Sequence, residues 1–354
     1  MCRFRTAGSD KGTGYRTTPA GRAGTADDGV EPVIASVHND GVVSLFVDSK
    51  EVDRCASAQV KDAAQGIADR GILLWSLDMA ASDAELEAAW RQVQEKFPFP
   101  DYIKVDKNQI DVGRQVSRFL ARGSRVVDIG AGPADKTGVV AALGYECTAM
   151  DDLGDLWHNT SGARERILKY AESMGIEYIL LKGEIPPTDG EFDMVMSHDM
   201  VEHLPDSPRY LLSEMMSRVR TGGYLYLTVP SHVNIRKRIA VLCGKTSHSA
   251  YELYYWSPIP NRGHFREYTR GDCIKLASSL GLELVEVKGW HQGLRRVPRW
   301  LLWPYLAFTA VFPNTRDSWR LIARKPPGWA PKLELTRAEM LEYTGLTCWD
   351  DLGH

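Results

Sequence analysis

The run Asp128-Ile129-Gly130-Ala131-Gly132-Pro133, with Asp151 about 20 residues further on, holds the residues best suited to binding a nucleoside. Gly130 and Gly132 let the backbone turn sharply and approach a ligand with no Cβ in the way, and a helix opening after Pro133 presents unpaired N–H groups. Asp135 stands where a third glycine would complete G-x-G-x-x-G, and an acid at a helix opening repels a pyrophosphate. A ligand without phosphates is therefore favoured over a nicotinamide dinucleotide. The carboxylates of Asp128 and Asp151 suit hydroxyls or a positive charge, and Asp152 offers the same chemistry one position on. His198, His203 and His264 are of the type that takes a proton from a hydroxyl near neutral pH. Asp199, Glu202 and His203, spaced i, i+3, i+4, would share one helical face. A magnesium-like ion needs more oxygens than these provide, so no metal is expected.

Strands and helices in regular alternation must position these residues. Arg125–Ile129 reads as a buried strand, followed by helix 134–143, strand 145–150, helix 162–174, strand 178–181, strand 192–196, helix 206–220 and strand 224–229. Pro208 suits the first turn of helix 206–220, and Gly222-Gly223 is expected to end it. Such alternation predicts an α/β fold with a parallel, doubly wound sheet, whose ligands bind outside the carboxyl ends of the strands.

The segment VVDIGAGPADKTGVVAALGYECTAMD resembles the first two motifs of the class I S-adenosylmethionine-dependent methyltransferases. Gly183-Glu184-Ile185-Pro186 with Glu191–Val195, then Val201–Asp206, Gly222–Pro230 and Gly263–Thr269, are similar to later segments of its small-molecule branch, which includes glycan and secondary-metabolite enzymes. The resemblance spans about residues 105–325. It implies a Rossmann-like seven-stranded sheet and S-adenosylmethionine as cofactor, with Asp128, Gly130 and Gly132 lining the methionine side. Asp151, or Asp152 if the correspondence is one residue off, would hold the ribose, Glu184 would lie near the adenine, and Ser197 or His198 would close the pocket. His264 lies in the long connection over the acceptor and is the preferred base; His203 is the second candidate, or a pocket wall. Asp199-x-x-Glu202-His203 is also similar to a metal-binding D/E-x-x-E-H of ubiquinone-pathway O-methyltransferases, with Asp in the first position.

Composition sets the remaining bounds. Of 354 residues, 44% are hydrophobic and 25% charged, which excludes a disordered or fibrous chain. A net charge of -3 gives no electrostatic case for nucleic acid, although Arg236–Arg238 and Arg295, Arg296 and Arg299 are local basic clusters. Six cysteines without a CxxC pair, and no signal-like apolar stretch near the N-terminus, lead us to expect a cytoplasmic setting. Residues 1–30 read as a disordered leader, 31–97 as a small α/β accessory unit of unknown role, 98–327 as the methyltransferase domain and 328–354 as a tail. Trp300–Phe312 is too short to cross a bilayer; a buried helix or lid is expected there, with peripheral membrane contact as the other reading. The expected activity is methyl transfer to a small acceptor, a hydroxyl of a sugar or glycan precursor or else a phenolic or polyketide-like compound. Trp157, His158 and the Tyr251–Trp256 run are candidate acceptor contacts. A non-catalytic scaffold that keeps the fold is the competing reading.

Overall fold

The computed structural model describes residues 80–103, 108–183, 185–187, 190–258, 260–292, 294 and 297–345, and the backbone of 34–37 and 43–46. The chain divides into two compact units, Met1–Leu74 and Trp75–His354. In the first, β1 (Ile34–Val37) and β2 (Val43–Phe46) pair as an antiparallel hairpin. The leader expected over 1–30, the helix near 58–69 and the strand at 72–77 lie outside the described residues.

The second unit is built on a seven-stranded sheet in the order β5-β4-β3-β6-β7-β9-β8. Its strands are β3 (Arg125–Ile129), β4 (Glu146–Asp151), β5 (Glu177–Leu180), β6 (Phe192–His198), β7 (Val219–Pro230), β8 (Glu283–Trp290) and β9 (Ser318–Arg324). Pairs among β3–β7 are parallel, and β9 runs antiparallel to both β7 and β8. From β3 the chain builds outward through β4 and β5, then returns to place β6 on the other side, so the strand order reverses between β3 and β6. That crevice is where an open α/β sheet receives its ligand.

The strands read as continuous apolar runs because both faces are covered. Val126, Ala149, Met194, Met196 and Tyr226 point into one core; Val127, Ile129, Met150, Val195 and Leu227 point into the other. The first face packs against α1 (Asp83–Lys96), α3 (Asn108–Phe119) and α4 (Asp135–Ala142), with the single turn α2 (Pro100–Ile103) and α5 (Ala163–Ser173) beside them. The second carries α6 (Pro208–Ser217) and α9 (Arg270–Ser279). The connection after β7 holds α7 (Ile235–Leu242) and the short α8 (Tyr251–Tyr255); α10 (Leu302–Val311) precedes β9, and α11 (Arg337–Thr344) follows it.

Three expectations are corrected. The helix at 83–96, assigned from sequence to the N-terminal unit, belongs to the second. A capping box, Ser82 with Glu85, opens it, and Leu86, Trp90 and Val93 sit in the core with α3 and α4, so the unit begins near Trp75 rather than 98. The helix read over 206–220 stops at Ser217; Gly222 and Gly223 lie inside β7, where the register against β6 shifts between Phe192 and Met194. The apolar run 300–312 is not a buried helix, since Trp300 is 77% and Trp303 80% exposed and Thr309 is the one buried residue of α10. Truncating Trp90 to Ala should cost about 3–5 kcal/mol, the usual penalty for emptying a buried aromatic site. Urea unfolding of the whole chain followed by circular dichroism checks this; a change near zero would return α1 to the N-terminal unit.

Candidate functional site

At the carboxyl ends of β3, β4 and β6 lies a cleft of ≈ 920 Å³. The turn after β3 forms its floor, with Gly130 at φ 75° and Gly132 at φ 52°. A Cβ on Gly130 would overlap the Met200 side chain, so both the backbone angle and the space demand glycine. The Gly132 peptide is held from two neighbouring strands: its N–H donates to Asp151 Oδ2 at 2.9 Å, and its carbonyl accepts from the Tyr178 hydroxyl at 2.5 Å. Asp151 Oδ1 accepts from the Leu153 N–H at 2.6 Å. Burial raises the Asp151 carboxyl above the usual range, against the pull of those two amides.

Asp151 and Asp152 both line the cleft and differ in their partners. Asp152 takes a bidentate pair from Arg262, at 3.1 and 2.7 Å, which clasps the loop after β4 to the long connection after β7. Asp128 is a correction: it does not line the cleft but is buried behind the turn, accepting from Thr137 Oγ1 at 2.7 Å, with burial pushing its carboxyl up to about 7. His198 does line the cleft; its Nδ1 lies 3.1 Å from Thr228 Oγ1, and burial with Lys136 nearby holds its pKa well down. Ser197 is buried and does not line it. Glu184 lies outside the described residues, between Gly183 and Ile185 of the cleft wall.

Several wall residues carry no sequence signal. Tyr102 stacks on Trp157, with ring centroids 5.4 Å apart, and both line the cleft with the buried His158. This puts Trp157 and His158 beside the glycine turn rather than in a separate acceptor site. Gln109 donates to Asp135 at 2.6 Å. Lys136 lies 3.5 Å from Asp199, which also accepts from Gln292 at 2.8 Å. Among the described residues, Asp101, Asp135, Asp151, Asp152, Asp155 and Asp199 face the cleft against two strong cations, Lys136 and Arg262. This balance suits a cationic ligand and opposes a pyrophosphate. The acidic rim, the glycine floor and the absence of a phosphate cradle among the described residues fit S-adenosylmethionine.

A second cavity, of ≈ 540 Å³, shares Asp199, His203 and Gln292 with the cleft and extends to α7, residues 246–248 and Glu267. Here the helical trio Asp199, Glu202, His203 is overturned. Asp199 is left-handed at φ 54°, and Val201–His203 forms a 3-10 turn, so Asp199 points at Lys136 and Gln292 instead of along a common face with the other two. His264 takes its place. The Phe265 and Arg266 N–H groups donate to the Glu202 carbonyl, and Tyr268 bridges to Ser231 beside β7, which docks the segment on the turn. Ligand atoms of Glu202, His203 and His264 lie within 4.8 Å of one another. His203 Nδ1 donates to the Arg262 carbonyl at 2.6 Å and His264 Nδ1 to Glu267 at 3.0 Å, so each imidazole keeps its Nε2 lone pair. Burial, with His203 and Lys237 close by, pushes His264 down to about 4; burial and Asp199 push Glu202 up to about 8.

Residues 102–287, more than half of the sequence, match the methyltransferase domain family. The chain belongs to that family. Its cofactor is S-adenosylmethionine, and it is an enzyme of methyl transfer. Among curated relatives, the ubiquinone biosynthesis O-methyltransferase of Burkholderia thailandensis is 24% identical over 58% of this chain and 83% of its own. That of Xanthomonas campestris is 26% identical over 38% and 55%. Among solved structures, the 1,6-didemethyltoxoflavin-N1-methyltransferase of B. thailandensis, bound to S-adenosylhomocysteine, is 17% identical, covering 70% of this chain and 91% of its own with a TM-score of 0.42.

Gly130→Ala should weaken S-adenosylmethionine binding at least tenfold, because the methyl group is forced both into a left-handed conformation and against Met200. About 1–2 kcal/mol comes from the backbone angle alone. Calorimetric titration reads the loss; unchanged affinity would mean that the turn relaxes freely.

Proposed function

We propose that the enzyme methylates a hydroxyl of a small, polar acceptor, with a sugar or glycan precursor as the first class and a phenolic or polyketide-like compound as the second. The observation that carries this reading is the lining of the second cavity. Asp199, Glu202, His203, Asn234, Lys237 and Glu267 face it, and only Pro230 and Ala240 are apolar. Dense donors and acceptors match a polyol better than a bare aromatic ring. The names of the curated relatives favour oxygen over nitrogen as the methylated atom.

In this reading Gly130 and Gly132 support the methionine side of the cofactor, with Asp128 stiffening their turn from behind. Asp151 accepts from the ribose hydroxyls, and His198 closes the inner wall. The cofactor supplies an electrophilic methyl group; what the chain must add is alignment and a place for the acceptor's proton. His264, neutral at physiological pH, receives that proton at Nε2, and Glu267 on Nδ1 stabilises the imidazolium that forms. His203, on the boundary of the two cavities, orients the acceptor oxygen.

Titration of S-adenosylmethionine into wild type and Asp151→Ala, followed by turnover of a panel of sugars and phenols, is the direct test. Binding lost in the variant, with turnover of a sugar hydroxyl, is the expected result; binding without turnover of any acceptor would favour a scaffold role. His264→Ala should lower kcat by about 10²-fold or more at unchanged cofactor affinity. The wild-type kcat/KM should stay level below pH 6.5, where an ordinary histidine protonates, and fall only towards pH 4.

The convergence of Glu202, His203 and His264 supports a second reading, a divalent cation that orients the acceptor. Two imidazoles and one carboxylate suit zinc or manganese rather than magnesium. Burial raises the Glu202 carboxyl, so its proton must leave before a cation binds, and affinity should rise as pH increases through about 8. Activity that survives chelation, in protein shown free of metal by elemental analysis, would leave His264 as base.

A further inference from the structure

Exposed apolar side chains are concentrated in two segments. Of the nineteen large hydrophobic residues exposed among the described residues, thirteen belong to 239–256 and 300–312. Leu242 is 86%, Trp256 78%, Trp300 77% and Trp303 80% exposed. A helix as uniformly apolar as α10 ordinarily lies inside a protein, and a surface patch of this kind marks an interaction site. The two segments meet at one point: Arg236 of α7 and the Tyr305 hydroxyl of α10 both donate to Asp317 Oδ1, at 2.6 and 3.1 Å.

Charge identifies the occupant. By sequence, residues 232–250 carry Arg236, Lys237, Arg238 and Lys245 and no acid, with Glu252 following, and residues 287–316 carry Lys288, Arg295, Arg296, Arg299 and Arg316 and no acid. In a chain of net charge -3, both stretches are locally basic. Arg236 and Lys237 are paired inward to Asp317 and Glu267, whereas Arg238, Lys245, Lys288 and Arg299 are exposed. A second copy meeting this face through a two-fold axis would bring like charges together. An anionic bilayer satisfies both features at once, with tryptophan and tyrosine at headgroup level and arginine and lysine against the phosphates. Helix α10 has ten residues, about 15 Å, against a hydrocarbon core of ~30 Å, so it lies in the surface rather than through it.

We propose that the face formed by α7 and α10 binds an anionic phospholipid membrane. The inference does not depend on the acceptor class. It gives the second cavity a setting, because α7 walls that cavity and belongs to the same face.

The test is flotation of the full chain with vesicles of phosphatidylcholine alone and of phosphatidylcholine mixed with phosphatidylglycerol. The wild type should float with the mixed vesicles, weakly or not at all with neutral ones, and less as salt rises. Trp300→Ser with Trp303→Ser, both at exposed positions, should lose binding at least tenfold, and Lys245→Glu with Arg299→Glu should remove the preference for the anionic lipid. Both variants should keep wild-type affinity for S-adenosylmethionine, which reports an intact fold. Wild-type protein that stays out of both vesicle fractions overturns the proposal. So does a dimer in gel filtration that the tryptophan variant dissociates, since the face would then join copies of the chain.

Discussion

The glycine turn after β3 is shaped by what grips it from the side. Gly132 gives its N–H to Asp151 at the end of β4 and its carbonyl to Tyr178 of β5, so the one peptide that must come nearest a ligand is fixed by two neighbouring strands. A backbone in the left-handed region has weak local preferences, and these two bonds select one geometry from several. The same carboxylate also orders the chain beyond β4 through Leu153. Strand register, loop shape and the placement of the acid therefore stand or fall together.

A comparable economy governs the junction of the two cavities. Asp199 is strained, yet its position lets it face Lys136 from the first helix turn after β3 and Gln292 from the far end of β8. Burial opposes the charge on Lys136, but Asp199 and Asp135 hold it protonated. Strain of about 1–3 kcal/mol in such a residue persists where surrounding contacts over-determine it. Here those contacts join the neighbouring strands β3 and β6 to β8 at the sheet edge.

The sequence made the sheet readable because each strand is buried on both sides, and the cleft readable because glycine spacing and an acid after a strand have few other uses. The sidedness of helices was less legible. The pattern of α1 shows an apolar stripe without saying which sheet it covers, and α10 looks like a core helix because its composition is one. The spacing of Asp199, Glu202 and His203 suggested a helix, but a left-handed residue and a 3-10 turn have no clear signature in single residues. Tyr102, Gln292 and Arg262 reach the site from distant parts of the chain, and only the fold brings them there. His264 was visible as a candidate base; its approach to Glu202 and His203 depends on two backbone bonds to the Glu202 carbonyl.

The Arg262–Asp152 clasp is a matter of charge more than of strength. Both side chains are well exposed, 39% and 45%, so the pair is screened by water and salt and contributes about 0–1 kcal/mol. A fastening that weak orients the Arg262 side chain without carrying the connection after β7. The bond from the His203 side chain to the Arg262 carbonyl and the backbone bonds from Phe265 and Arg266 to Glu202 do that, so the charge at the mouth of the cleft can be exchanged by mutation without unseating the segment beneath it.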